Sequence, residues 1–164
     1  MRVRIARDEL RRIRELSQTI KALEREIVQL VAEIAPQLLA EPGLGPLTAA
    51  KLVGEIAGAG RFPTDAKLAR AAGVAPIPVS SGKTNRHRLD RGGNRQLNAT
   101  IHRVAVTRLR CHPETQNYIA RKRAQGKSTK DAIRCLKRHL ARRIWHLLQA
   151  PQPGQRTPPT PTPS

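Results

Sequence analysis

Several kinds of residue are scarce in this chain, and each scarcity closes off a class of function. Cysteine occurs twice, at Cys111 and Cys135, too few for a disulfide framework and in no spacing that holds zinc. Five scattered histidines add nothing to that pair, so no Cys/His metal site is expected and no metal ligand is assigned. The aromatics are Phe62, Tyr118 and Trp145 alone. A protein that stacks the bases of a single strand needs more such platforms, so gripping the backbone of a duplex or a folded RNA fits better. No apolar run approaches the roughly 20 residues of a membrane-spanning helix. Residues 1–10 alternate arginine with apolar side chains but lack the apolar core and cleavage site of a signal peptide. The expectation is a cytoplasmic protein with no membrane partner.

Acidic residues are scarce too, 12 against 31 lysines and arginines, leaving a formal charge of +19 over 164 residues. Such a balance points to nucleic acid, through neutralised phosphates and released counterions. The excess is uneven. Residues 1–82 carry 12 basic and 9 acidic side chains, whereas residues 83–143 carry 18 and 3. The nucleic-acid face is expected in the second half.

Residues 6–39 read as one long helix. Ile13, Ile20, Ile27 and Ile34 alternate with Leu16, Leu23 and Leu30 at spacings of three and four, a heptad with isoleucine at a and leucine at d. That choice favours a parallel two-stranded coiled coil, and hence a homo-oligomer joined through residues 13–34. The plainer alternative is a helix laid on its own domain, although a seam only two-sevenths wide leans to the coiled coil.

Pro42-Gly43-Leu44-Gly45-Pro46 and the following LTAAKLVGEIAG have the form of a helix-hairpin-helix, with Leu44, Leu47, Ala50, Leu52 and Val53 as its apolar positions. In such a turn Gly43 and Gly45 let backbone amides approach a phosphate at a helix N-terminus. A connection with no ligand is the alternative. A short helix over 61–72, capped by Thr64 or Asp65, comes next. Further helices are expected after Asn94, over 113–125, and from Ser128 onward with Asp131 completing a capping box. His102 reads as a structural histidine rather than a catalytic one. Residues 151–164, PQPGQRTPPTPTPS, read as disordered. The fold expected is all-α with no sheet. It divides into a coiled-coil helix over 1–39, a basic helical domain with the helix-hairpin-helix over 40–148, and a Pro-rich tail over 149–164.

Between these helices lies the stretch with the chemistry. Ser80-Ser81-Gly82 precedes Lys83, Arg86, His87, Arg88 and Arg91, and Gly92-Gly93-Asn94 closes the run. Pro76 and Pro78 favour extended backbone ahead of the serines. A hydroxyl on a rigid turn facing guanidinium groups suits chemistry on a phosphodiester, since arginine stays charged and forks onto phosphate oxygens. On the residues alone, a basic loop that only grips nucleic acid is the stronger reading. The candidate DNA contacts are Gly43, Gly45, Lys83, Arg86, Arg88, Arg91, Arg95, Arg138 and Arg142.

The order of parts resembles one family. A heptad helix, the segment from Pro42 to Pro76 with its Gly-Val-Ala-Pro turn, Ser-Gly at 81–82, and Gly-Asn-Arg-Gln-Leu at 93–97 are similar to the C-terminal half of the insertion-sequence one-ten transposases, RNA-guided "bridge" recombinases. The resemblance covers residues 10–148. It implies a serine-recombinase-like strand transfer in which the serine before glycine, here Ser81, attacks a DNA phosphate and forms a transient 5′-phosphoserine link. It also implies DNA as partner and a guide RNA as a second one. Full-length relatives begin with an RNase H-like domain bearing four acidic metal ligands, which this sequence does not contain. Asp8, Glu9 and Glu15 lie on a charged helix surface and make no such site. A truncated transposase, incomplete or inactive alone, is therefore expected, with no cofactor of its own and magnesium only alongside the missing half. Two alternatives remain: a nucleic-acid-binding module without catalysis, and a dimerising regulator of an intact transposase.

Overall fold

The computed structural model describes residues 2–81, 84–88, 90 and 92–149. These residues include seven α-helices, a 3-10 turn at Ala59–Arg61 and one two-stranded hairpin. Helix α1 (Arg2–Ile34) is longer at its start than the heptad alone requires and stops before Pro36. The expected helix over 6–39 is thus divided. The proline nitrogen has no hydrogen to donate and its ring crowds the preceding turn, so the chain restarts as the short α2 (Pro36–Leu39) with Pro36 at its first position. A turn over residues 40–45 leads into α3 (Pro46–Ile56), which again opens on proline.

Helix α4 (Asp65–Ala71) begins where Thr64 Oγ1 accepts from the Lys67 amide at 3.3 Å. Helix α5 (Arg95–Cys111) is capped by Asn94, whose Oδ1 accepts from Gln96 at 2.8 Å and from Leu97 at 3.0 Å. Helix α6 (Pro113–Ala124) starts on the His112 ring, and the chain leaves it through Gly126 at φ +80°. Helix α7 (Thr129–Gln149) opens with the expected capping pair: Ser128 Oγ donates to Asp131 Oδ2 at 2.6 Å and accepts from the Asp131 amide at 3.2 Å.

The helical class holds, with one addition. Strands β1 (Ile77–Ser81) and β2 (Thr84–Arg88) pair antiparallel, Ile77 opposite Arg88 and Ser81 opposite Thr84. No sheet was expected here, because the segment lacks the alternation of apolar and polar residues that marks a strand. The two prolines that favour extended backbone were its only local signal. The Pro/Thr-rich tail lies outside the described residues.

Helices α3 to α7 close around one core. Leu52 and Ile56 of α3, Leu68 of α4, Leu97, Ile101 and Val104 of α5 and Ile144 of α7 are fully buried together with Leu38 of α2. Leu136, Leu140 and Ile144, spaced four apart on one side of α7, are all buried against the body. Helix α1 is different. It joins this core only through its last two turns, where Val31 and the following Ala35 are buried and Ile27 packs half-buried. Upstream, Ile13, Leu16, Ile20, Leu23 and Leu30 are each more than half exposed. At about 1.5 Å per residue, its 33 residues form a stem about 50 Å long. No helix among the described residues is long and apolar enough to cross a membrane.

Candidate nucleic-acid interface

Of the 18 basic side chains in residues 83–143, 10 lie on helices α5 and α7, and the structure sorts them into two groups. The first group is held by carboxylates or amides within the body. Glu41, only 9 % exposed in the turn before α3, accepts from Arg108 Nη1 at 2.7 Å and from Arg143 Nε at 3.0 Å. Burial pushes the Glu41 carboxyl up, but the hydrogen bonds and charges of Arg108 and Arg143 outweigh it and leave its pKa below the ordinary value. Arg142 donates from Nε to the Asp65 carboxylate, and this hydrogen bond holds the Asp65 pKa down. Arg134 is paired with Asp131 one turn back.

The second group points to solvent. Arg95, Arg103 and Arg110 on α5 and Arg138 on α7 are exposed and make no ion pair among the described residues. Of the candidate phosphate contacts, Arg95 and Arg138 are therefore available as they stand, whereas Arg142 is engaged by Asp65. His102 is exposed on α5 rather than enclosed as a structural histidine.

The two glycines of the proposed helix-hairpin-helix turn differ in the same way. Gly43 has φ +78°, and a β-carbon there would lie 2.6 Å from Arg108 Cγ. Glycine is required because the turn closes on the arginine held by Glu41. Gly45, at the start of α3, faces open space. Leu47, counted among the apolar positions of the motif, is 53 % exposed.

Ser81 is the last residue of β1 and pairs in register with Thr84, so it stands at the tip of the hairpin. Arg86 and Arg88 lie on β2, and Lys83 and Arg91 lie outside the described residues. The register brings Arg86 opposite Val79 and Arg88 opposite Ile77, so two candidate arginines share the hairpin with the serine.

The root of the hairpin is built with more detail than its strands. Gly73, at φ +63°, and Gly93 approach so closely that a β-carbon on Gly93 would lie 2.2 Å from the Gly73 nitrogen. The Asn94 amide donates to the Ala71 carbonyl at 2.7 Å, and the Asn94 side chain donates to Glu55 on α3 at 2.7 Å. Asn98 Nδ2 donates to the carbonyls of Ala72 at 2.9 Å and Gly73 at 3.1 Å. Asn98 Oδ1 in turn accepts from the ammonium of Lys137, which is only 8 % exposed. Burial lowers the Lys137 pKa, and the charge of Arg134 adds to the effect. Neither Lys137 nor Asn98 stands out in the sequence. Helical spacing gives a residue's face but not how deeply a neighbouring loop covers it.

Among the described residues, no three or more histidines, cysteines, aspartates or glutamates converge as metal ligands would.

Comparisons with known proteins bear on the family of the chain. The profile of the IS116/IS110/IS902 transposase family matches residues 35–120, from the end of α1 to α6. An uncharacterized 43.6 kDa protein of insertion element IS110 from Streptomyces coelicolor is 37 % identical over 116 residues, which is 69 % of this chain and 29 % of the relative. A 44.8 kDa protein of element IS116 from Streptomyces clavuligerus is 30 % identical over 141 residues, 82 % of this chain and 34 % of that protein. A 42 kDa protein of element IS900 from Mycobacterium paratuberculosis is 28 % identical over 148 residues, covering 84 % of this chain and 37 % of its own length. The chain spans about a third of the length of these relatives, and by the match of its helical body and the identity to IS110 it belongs to the IS116/IS110/IS902 transposase family.

Proposed function

We propose that this chain is the DNA-engaging part of a transposase, acting in the cytoplasm, and that Ser81 is the nucleophile of its strand transfer. The observation that carries the reading is the place of Ser81, at the tip of a hairpin whose root is fastened to α5 and whose second strand carries Arg86 and Arg88. In the step envisaged, Ser81 Oγ attacks the phosphorus in line. The Oγ–P bond forms, the P–O3′ bond breaks, the serine proton leaves to solvent or a base, and the freed 3′ oxygen takes up a proton. The phosphoserine ester retains the energy needed for rejoining to a second 3′-hydroxyl. Positive charge on the non-bridging oxygens favours such a step. Arg86, Arg88, Lys83 and Arg91 are assigned that role. Arg95 and Arg138, together with the open backbone at Gly45, grip the flanking phosphates. Gly43 serves the turn, and Arg142 joins the interface only if it leaves Asp65. No step is routed through a metal, since the described residues offer no ligand set for one. Magnesium and a guide RNA belong to the reading only together with an RNase H-like partner half.

The exposed seam of α1 is assigned to a second copy of this chain. The body packs on Val31, Ala35 and one seam residue, Ile27, and leaves Ile13, Leu16, Ile20, Leu23 and Leu30 facing solvent. That placement favours the coiled coil over a helix laid on its own domain. It also supports the second reading, a dimerising regulator that binds DNA without cutting it.

The test separates the two. The full chain is supplied with an RNase H-like half, a guide RNA and target DNA, and covalent protein–DNA adducts are sought with wild type, Ser80→Ala and Ser81→Ala. The expected result is an adduct lost only in Ser81→Ala. Loss only in Ser80→Ala assigns the chemistry to the other serine, persistence in both removes the serine mechanism, and no adduct with wild type leaves the binding reading.

A further inference from the structure

We propose that Asn98 and Lys137 are positioning residues that hold the Ser81 hairpin to the helical body. The consequence for strand transfer rests on the reading of Ser81 above; the clamp itself does not. Each strand of the hairpin packs chiefly on the other, so its direction relative to the body is set at its root. Both ends of the root meet at one place. Gly73 leads into β1, Gly93 lies between β2 and α5, and the two backbones touch. Asn98 sits beneath them and donates both amide hydrogens, one to the Ala72 carbonyl and one to the Gly73 carbonyl.

That grip depends on which way the Asn98 amide faces. An asparagine amide can turn over, exchanging its two donors for an acceptor. An ammonium has only donors, so Lys137 can donate to the oxygen alone and fixes the amide with its own donors toward the carbonyls. Lysine is rarely so buried without a paired charge, and no carboxylate bonds to Lys137 among the described residues. Its charged neighbour on α7, Arg134, is repulsive. For stability alone, an uncharged side chain of similar length would serve as well or better. A buried ammonium retained against that cost, on the one amide that clasps the hairpin root, is explained by the orientation it imposes.

The experiment is hydrogen exchange on the full chain, comparing residues 77–88 with α5 and α7. The variants are Lys137→Met, Asn98→Asp and, as a control for general loosening, Ile101→Val. Asn98→Asp keeps an oxygen for Lys137 but has no donor for the carbonyls. Both clamp variants should speed exchange of the hairpin at least tenfold beyond any change in α5, whereas Ile101→Val should speed both alike. Hairpin exchange in Asn98→Asp that rises no more than in Ile101→Val overturns the proposal, as does a wild-type hairpin already exchanging at the unprotected rate. Should Lys137→Met fail to fold, Asn98→Asp decides alone. In the adduct assay the clamp variants should lose about tenfold in yield at unchanged duplex affinity. No adduct from any chain, wild type included, removes the serine reading and leaves the exchange result standing.

Discussion

Helices α1 and α7 carry stripes of the same residue types and put them to opposite use. On α7 the stripe is broad and Leu136, Leu140 and Ile144 are buried against α4, α5 and α6. On α1 the stripe is a strict heptad, and its isoleucines and leucines stand in solvent along most of the helix. The difference teaches that width, rather than hydrophobicity, tells the destination. A broad face is covered by several elements of one body, while a narrow seam matches one other helix. On the function proposed above the stem and the body are separable, with the stem assigned to joining copies and the body to nucleic acid.

The sharpest way to break this division is to truncate equivalent side chains on each side of it. Ile101→Ala, in the core of α5, should cost about 2–5 kcal/mol and lower the melting temperature of the whole body. Ile20→Ala on the stem should leave the body's unfolding within about 0.5 kcal/mol when measured at dilutions that keep chains apart. Comparable losses from both would mean that the stem folds back on the body.

Next in size is the Glu41 clamp, which ties the turn before α3 to α5 and α7. Glu41→Ala leaves the partly buried Arg108 without its partner and should cost about 3 kcal/mol in denaturant unfolding, with no change in the sedimentation of the chain. The depressed pKa of Glu41 makes this contribution pH-dependent. A carboxyl depressed on folding stabilises fully above its unfolded value of about 4.3, and the stability is lost as pH falls through the lower folded value. In Glu41→Gln the part of acid destabilisation that lies below about pH 4 should shrink.

A smaller effect separates the two groups of arginines. If about 6–10 phosphates are contacted, duplex affinity should fall about 10³–10⁵-fold between about 50 and 200 mM salt. Arg138→Ala and Arg95→Ala should each weaken binding to all sequences alike and reduce the salt slope by about one. Arg143→Ala, held by Glu41, should change stability more than the slope. Smallest of all, Ser81→Ala should shift unfolding by no more than about 0.5 kcal/mol. A salt slope that ignores Arg95 and Arg138 moves the interface away from α5 and α7.

How much of this was legible in the sequence depended on the range of the interaction involved. Thr64, Asn94 and Ser128 cap helices through neighbours two or three residues away, so their signals survive in the bare chain. The heptad of α1 is equally local. Pro36 was overrun in favour of that periodicity, although its missing hydrogen ends the helix. The hairpin was missed because its strands show no alternating apolar face. Glu41 meets Arg108 and Arg143 from 67 and 102 residues away, and Asn98 meets Lys137 from 39. Such pairings are chosen by the packing of whole helices, and no spacing rule reports them. The serine stood out through the residues around it, but the clamp beneath it became visible only with the fold.

Sedimentation of the full chain tests the division between stem and body most directly. Wild type should sediment as two copies at micromolar concentration, and Ile20→Asp with Leu23→Asp should sediment as one copy while keeping the body's melting temperature and its affinity for duplex DNA. A wild-type chain that remains a strict monomer at high micromolar concentration, or a double variant whose body unfolds with its seam, would contradict it.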